Sequence, residues 1–278
     1  MTNDFEAHLA ATLGAATENI RQTMAASIRP APKVELPTSL RETLAKAVAP
    51  LLPVLERLDA MMPGNWRGQH LDYERMVRLM QEGVPLAWVP PADVIRQLLA
   101  ADDASSRSKV IDDSHPAILA SCREALAEVT DARLTPQRTL LEECARAIEN
   151  GMFNSAQALA ANVWDTLMRG IAFANPDLLT SKGTWNYRHI RRNVPSVDAE
   201  EDATLGELRR AAVFLPVAKV LEDFWHPQPV PFGFNRHATA HAAGTVQYTA
   251  SNAMTALMLA VSVLREIDDQ AYVVHIHA

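Results

Sequence analysis

Glycine is scarce in this chain, with 10 in 278 residues, and cysteine scarcer, with 2. Few glycines, a composition rich in alanine and leucine, and apolar positions recurring every three and four residues predict an all-α protein. No stretch alternates apolar and polar residues as a half-buried strand would, and the tail "AYVVHIHA" is too short to make a sheet alone. Cys122 and Cys144 lie in helix-like sequence without a Cys-x-x-Cys pairing, the pattern of reduced, packed thiols. A basic segment at the N-terminus, as a signal peptide requires, is missing, and no apolar run reaches membrane-spanning length, so the expectation is a cytoplasmic protein that does not enter the membrane. Positive charge is also lacking overall: the net charge of -7 gives no global attraction to polyphosphate, so nucleic-acid contact requires a local basic patch.

What is present is helix after helix. An amphipathic segment at 4–28 leads into the proline-rich linker "RPAPKVELP", and a second helix at 38–62 is interrupted by Pro50 and Pro53. "LDYERMVRLMQEG" predicts a short helix stopped by Gly83, "ADVIRQLLAA" another after Pro91, and Ser114 to about Val129 a third. Residues 1–133 are thus an N-terminal helical region without an assigned role, and no repeat of fixed period occurs. Residues 134–278 are more definite. "TPQRTLLEECARAIENG", capped by Thr135 and ended by Gly151, precedes "NSAQALAANVWDTLMRG", capped by Asn154 and ended by Gly170, as a tight helical hairpin. A polar insertion at 174–203 follows, then a helix bent at Pro216, and finally a helix from Thr249 to Ile267 apolar on nearly all sides. Four main helices predict a helical bundle with a polar site at one end.

That site is "GFNRHATAHAAG", residues 233–244. Asn235 is suited to cap a helix, placing Arg236 and His237 in its first turn, where unpaired N–H groups favour an anion. His237 and His241 share a face about 40° apart, whereas Arg236 lies about 140° from His241 and must reach round to share a ligand. An imidazole near neutrality and a permanent cation suit RNA cleavage by internal transfer, the first for the 2′-hydroxyl proton and the second for phosphorane charge. Such chemistry needs no metal or other cofactor. Two other readings stay open on spacing alone: zinc held by His237 and His241 with Asp165 or with His275 and His277, and a structural role in which Arg236 pairs with an acid of a neighbouring helix.

"FNRHATAH", followed by Gly244, Tyr248, Asn252 and an aliphatic last helix, resembles the signature of the HEPN superfamily, four-helix-bundle domains of bacterial toxin–antitoxin, abortive-infection and phage-defence systems. The family motif is Arg, a polar residue, a few further residues and His; Arg236, His237 and His241 match it, and "ARAIENGMFNSAQALAANVWDTLM" resembles the first two family helices. The likeness covers about residues 134–278 and departs from many relatives in placing Ala242 and Ala243 before Gly244, so the motif helix is expected to run one turn further before it breaks. The resemblance implies a C-terminal HEPN-like bundle acting as a metal-independent endoribonuclease. It also implies a homodimer whose two motifs meet across a cleft, and an antitoxin or defence-system protein as partner. In that scheme Arg236 steadies the scissile phosphate, His241 transfers the proton, His237 supports both, and Asp165 orients Arg236 or a histidine. Asp165 equally suits a surface pair with Arg169 at i,i+4. In the insertion, Tyr187, Arg188, Arg191 and Arg192 combine ring and cation as single-stranded RNA requires, although "DAEED" nearby offers self-neutralisation. Numerous family members do not cut, which leaves a non-catalytic module binding RNA, a nucleotide or a protein as the alternative.

Overall fold

A computed structural model describes residues 61–193, 205–225 and 227–270. The expected helix at 4–28, the linker after it, nearly all of the helix at 38–62, the acidic part of the insertion and the His275/His277 pair lie outside the described residues. Everything regular among the described residues is helical, as the composition predicted.

The chain order is α1 (Tyr73–Gln81), α2 (Ala92–Ala100), α3 (Ala104–Asp113), α4 (His115–Ala127), α5 (Thr135–Glu149) and α6 (Phe153–Ala174). It continues with α7 (Tyr187–Asn193), α8 (Leu205–Phe214), α9 (Val217–Val220), α10 (Arg236–His241) and α11 (Ala250–Gln270), with single 3-10 turns between some of them. Helix α11 is the axis: every residue from Ser251 to Ile267 is buried, and α3, α4, α5, α6 and α8 all pack on it. A helix apolar on all sides is stable only when surrounded, so its composition dictates its place. One core runs from Trp66 to Ile267, joining side chains from before and after residue 134.

The α5–α6 turn follows from Gly151 at φ 73. Its N–H donates to Ile148 O at 2.9 Å and that of Met152 to Ala147 O at 2.8 Å, pairing carbonyls that the helix end leaves open. Only a residue without Cβ accepts that conformation cheaply. Helix boundaries differ from expectation in instructive ways. α5 already includes Thr135, because the 3-10 turn Ala132–Leu134 feeds straight into it. α6 starts at Phe153 and continues through Gly170 to Ala174, since Gly170 is buried and packing outweighs its propensity cost of about 1 kcal/mol. Pro216 divides rather than bends its helix, separating α8 from α9.

Across from the motif, Trp88, at φ 68, is clamped to α11. Its Nε1 donates to Glu266 Oε2 at 3.0 Å, and the guanidiniums of Arg209 and Arg265 lie 5.1 and 4.7 Å from its ring. Arg209, 2% exposed, pairs with Glu266, 0% exposed, at 3.0 Å and with Asp269 at 2.6 Å. Both cysteines are buried, and burial pushes the Cys144 thiol up to about 12, so it stays protonated and inert. No helix among the described residues is long and apolar enough to cross a membrane.

Candidate functional site

The Arg/His stretch does not begin the last helix. It forms its own short helix, α10, which ends at His241 with Ala242 as C-cap (φ -134, ψ 56), so the further turn expected from the Ala242–Ala243 spacing is absent. A helix of six residues has little stability of its own. Buried polar side chains hold it in place.

Asn235 Oδ1 accepts from Ala238 N at 2.8 Å, the cap read from the sequence. Asn235 Nδ2 donates to Glu222 O at 2.9 Å, and its backbone N–H donates to Gln247 Oε1 at 3.0 Å. Gln247 is fully buried and also donates to Pro231 O and Gly233 O, tying down the strap ahead of α10. Gln157 of α6 donates to Thr239 Oγ1 and to Gln247 O, both at 3.1 Å. Tyr248 Oη donates to Thr239 O at 2.7 Å, and Asn252 Nδ2 to Phe232 O and Gln247 O. The bonds among the buried Gln157, Asn235, Thr239 and Gln247 are the costliest to break, so α10 is pinned to α6 and to the turn that leads into α11. Sequence reasoning missed Gln157 and Gln247; for Gln157 the available signal was an amide side chain on an otherwise apolar face of α6, whereas Gln247 lies in the turn between α10 and α11, where no periodicity marks it.

Arg236 and His237 thereby face α6. Asp165 is 7% exposed and receives three groups: Tyr187 Oη donates to Oδ1 at 2.7 Å, Arg169 Nε donates to Oδ2 at 2.8 Å, and Arg236 Nη2 lies 3.7 Å from Oδ2. Both expectations for Asp165 therefore describe part of its surroundings, because it pairs with Arg169 along α6 and also meets Arg236. Arg169 Nη2 donates to Tyr187 Oη at 3.0 Å, closing a three-membered ring of bonds, and its guanidinium lies 4.9 Å from the Trp185 ring centroid. Burial works against the Arg169 charge, but the Asp165 and Tyr187 bonds outweigh it and its pKa is raised. The Tyr187 hydroxyl is also raised, by burial first and then by Asp165.

His237 packs edge-on against Tyr187, with ring centroids 4.8 Å apart at 71°. Its Nε2 is buried and without a hydrogen-bond partner among the described residues, as is Arg236 Nε. Burial lowers the His237 pKa most, the charges of Arg236 and His241 lower it further, and Asp223 and Asp165 oppose the shift. The ring is therefore neutral at pH 7. His241, a turn further on, is exposed and forms no hydrogen bond or ion pair among the described residues.

The insertion residues divide. Tyr187, at the head of α7, belongs to the Asp165 network. Arg188 Nε lies 2.9 Å and Arg191 Nη1 3.9 Å from Asp223 Oδ2, so one carboxylate serves both, while Arg192 is exposed. Four arginines, 169, 188, 191 and 236, thus surround two acids, Asp165 and Asp223, a local positive excess in a chain of net charge -7. No group of three or more His, Cys, Asp or Glu side chains among the described residues is placed to hold a metal. Comparison with family models, with curated proteins and with solved structures gave no match.

Proposed function

We propose that the chain is a HEPN-like, metal-independent endoribonuclease that cleaves RNA through attack of a 2′-hydroxyl on the adjacent phosphate. The observation that carries the reading is Arg236: 14% exposed, 3.7 Å from its counter-ion and without a hydrogen bond among the described residues, beside a neutral imidazole. A guanidinium so little satisfied inside a protein is suited to receive an anion with the right shape, and a phosphodiester offers two oxygens to its planar fork. In the reaction, Arg236 holds the scissile phosphate and offsets charge on the phosphorane. The open imidazole of His241 takes the 2′-hydroxyl proton, the 2′-oxygen bonds to phosphorus, and the bond from phosphorus to the 5′-oxygen breaks. Products are a 2′,3′-cyclic phosphate and, after protonation of the leaving oxygen, a 5′-hydroxyl. Asp165 orients Arg236, and His237 supports the site by hydrogen bonding. Tyr187, Arg188, Arg191 and Arg192 supply the rings and charge that contact single-stranded RNA. A homodimer with two motifs across a cleft, restrained by an antitoxin or defence partner, fits a growth-arresting role, and light scattering showing only monomer would count against the composite site.

The second reading, a non-catalytic module that binds RNA, a nucleotide or a protein, is favoured by one feature: among the described residues no hydrogen bond or ion pair joins His241 to Arg236, whose charge partner is Asp165. Overexpression in a bacterial host separates the two. Toxicity removed by Arg236→Ala and by His241→Ala supports the nuclease, and toxicity indifferent to both changes refutes it.

A further inference from the structure

Asp165 presents one negative charge to two guanidiniums, and it does not share it equally. Arg169 makes a charge-assisted hydrogen bond to Oδ2 at 2.8 Å, whereas Arg236 stands at 3.7 Å from the same oxygen, beyond hydrogen-bond range. The other oxygen is occupied by the Tyr187 hydroxyl at 2.7 Å. Arg169 is itself fixed, by the Tyr187 oxygen it donates to and by the Trp185 face it covers. The excess positive charge of the cluster therefore sits on Arg236, the more buried and less bonded of the two.

We infer that Arg169 is a positioning residue that occupies the Asp165 carboxylate and so keeps Arg236 available to a phosphodiester, an inference that rests on the ribonuclease reading above. The chemistry has a clear alternative state. Without Arg169, Oδ2 is open, Arg236 closes on it to hydrogen-bond distance, and the pair is neutral; an incoming phosphate must then compete with a carboxylate for the same fork. With Arg169 in place, the carboxylate aims Arg236 without quenching it. Tyr187 extends the same control to α7, because its hydroxyl accepts from Arg169 and donates to Asp165, so the insertion completes the site as well as lying beside it.

The test is a mutant cycle on the full-length chain. Binding is read by fluorescence anisotropy with a single-stranded oligoribonucleotide made uncleavable by 2′-O-methylation, and cleavage with its unmodified counterpart. Arg169→Gln raises the Kd about tenfold, equivalent to about 1.4 kcal/mol, and raises KM in parallel. Asp165→Asn tightens binding while lowering kcat, because Arg236 is unquenched but no longer aimed. The double variant Asp165→Asn/Arg169→Gln binds as tightly as Asp165→Asn alone, since nothing is left for Arg169 to occupy; circular dichroism melts confirm that all three are folded. A purely structural Arg169, or one that touches RNA directly, gives no such rescue. Wild-type binding that Arg169→Gln leaves unchanged, or a double variant that binds as weakly as Arg169→Gln alone, overturns the inference and leaves the nuclease standing. A wild-type protein that neither binds nor cuts these oligonucleotides overturns the nuclease reading and this inference with it.

Discussion

Removing Arg209 should destabilise the protein in a pH-dependent way that exposes how the clamp around Trp88 works. Arg209 is 2% and Glu266 0% exposed, and they are 3.0 Å apart. Taking one partner from a buried pair leaves the other charge uncompensated, which costs about 3–5 kcal/mol. Arg209→Met keeps most of the volume and removes the charge, so the loss at pH 7.5 falls in that range. Burial already raises the Glu266 pKa above its ordinary value, while the Arg209 charge and the Trp88 hydrogen bond pull it back. Without Arg209 the carboxyl rises further. A raised folded pKa means that the native state binds a proton the unfolded state does not, so this contribution to stability is full below the unfolded value of about 4.3 and is lost as pH rises through the folded one. The variant's deficit accordingly shrinks between pH 7.5 and pH 5.5, and Arg209→Met/Glu266→Gln recovers much of it at neutral pH. Asp269, the second partner of Arg209, is partly exposed and contributes less. Urea unfolding followed by tryptophan fluorescence measures each difference, with constant m-values as the check on two-state behaviour. A deficit below about 1 kcal/mol, or one equal at both pH values, would refute a stabilising role for the buried Arg209–Glu266 pair.

Two further predictions concern α10. Asn235→Ala removes its cap and the bond to Glu222 O, costing about 1–2 kcal/mol of stability; Arg236 loses its aim, and RNA cleavage falls by more than the folded fraction does. Wild-type cleavage by a folded Asn235→Ala protein would show that α10 does not need this anchor. By NMR titration, the His237 ring should change charge below the usual value of about 6.5. Since its folded pKa is depressed by burial, the neutral ring's contribution to stability is complete above the unfolded value and falls as pH drops toward the folded one; a His237 that titrates above 6.5 contradicts the packing against Tyr187 and Arg236.

Local signals carried far in this chain. The Gly83 and Gly151 stops, the Asn235 cap and the all-round apolar face of α11 were legible because each depends on backbone chemistry or on a pattern within one segment. Gly170 misled for a physical reason: propensity predicts a stop, but a buried residue in a long packed helix answers to its neighbours. Arg236 and His241 were visible as chemistry and the start of the last helix near Thr249 was expected, yet the early end of α10 at His241 was not, because α10 is held by Gln157 and Gln247 through contacts that reach across to α6. Asp165 could be nominated by its position, while its sharing between Arg169 and Arg236 could not, since that depends on the approach of α10 to α6. Tyr187 was selected for stacking on RNA and is found bonded to Asp165, a contact that no spacing rule within the insertion could supply.

The central claim meets its most direct test in the ends of the RNA that the protein produces. Purified chain incubated with a single-stranded RNA in excess EDTA, with products read by mass spectrometry, should yield 2′,3′-cyclic phosphate and 5′-hydroxyl termini. Arg236→Ala and His241→Ala should each lower that yield at least about 100-fold. Products with 5′-phosphate ends, cleavage abolished by the chelator, or undiminished cleavage by either variant would contradict it.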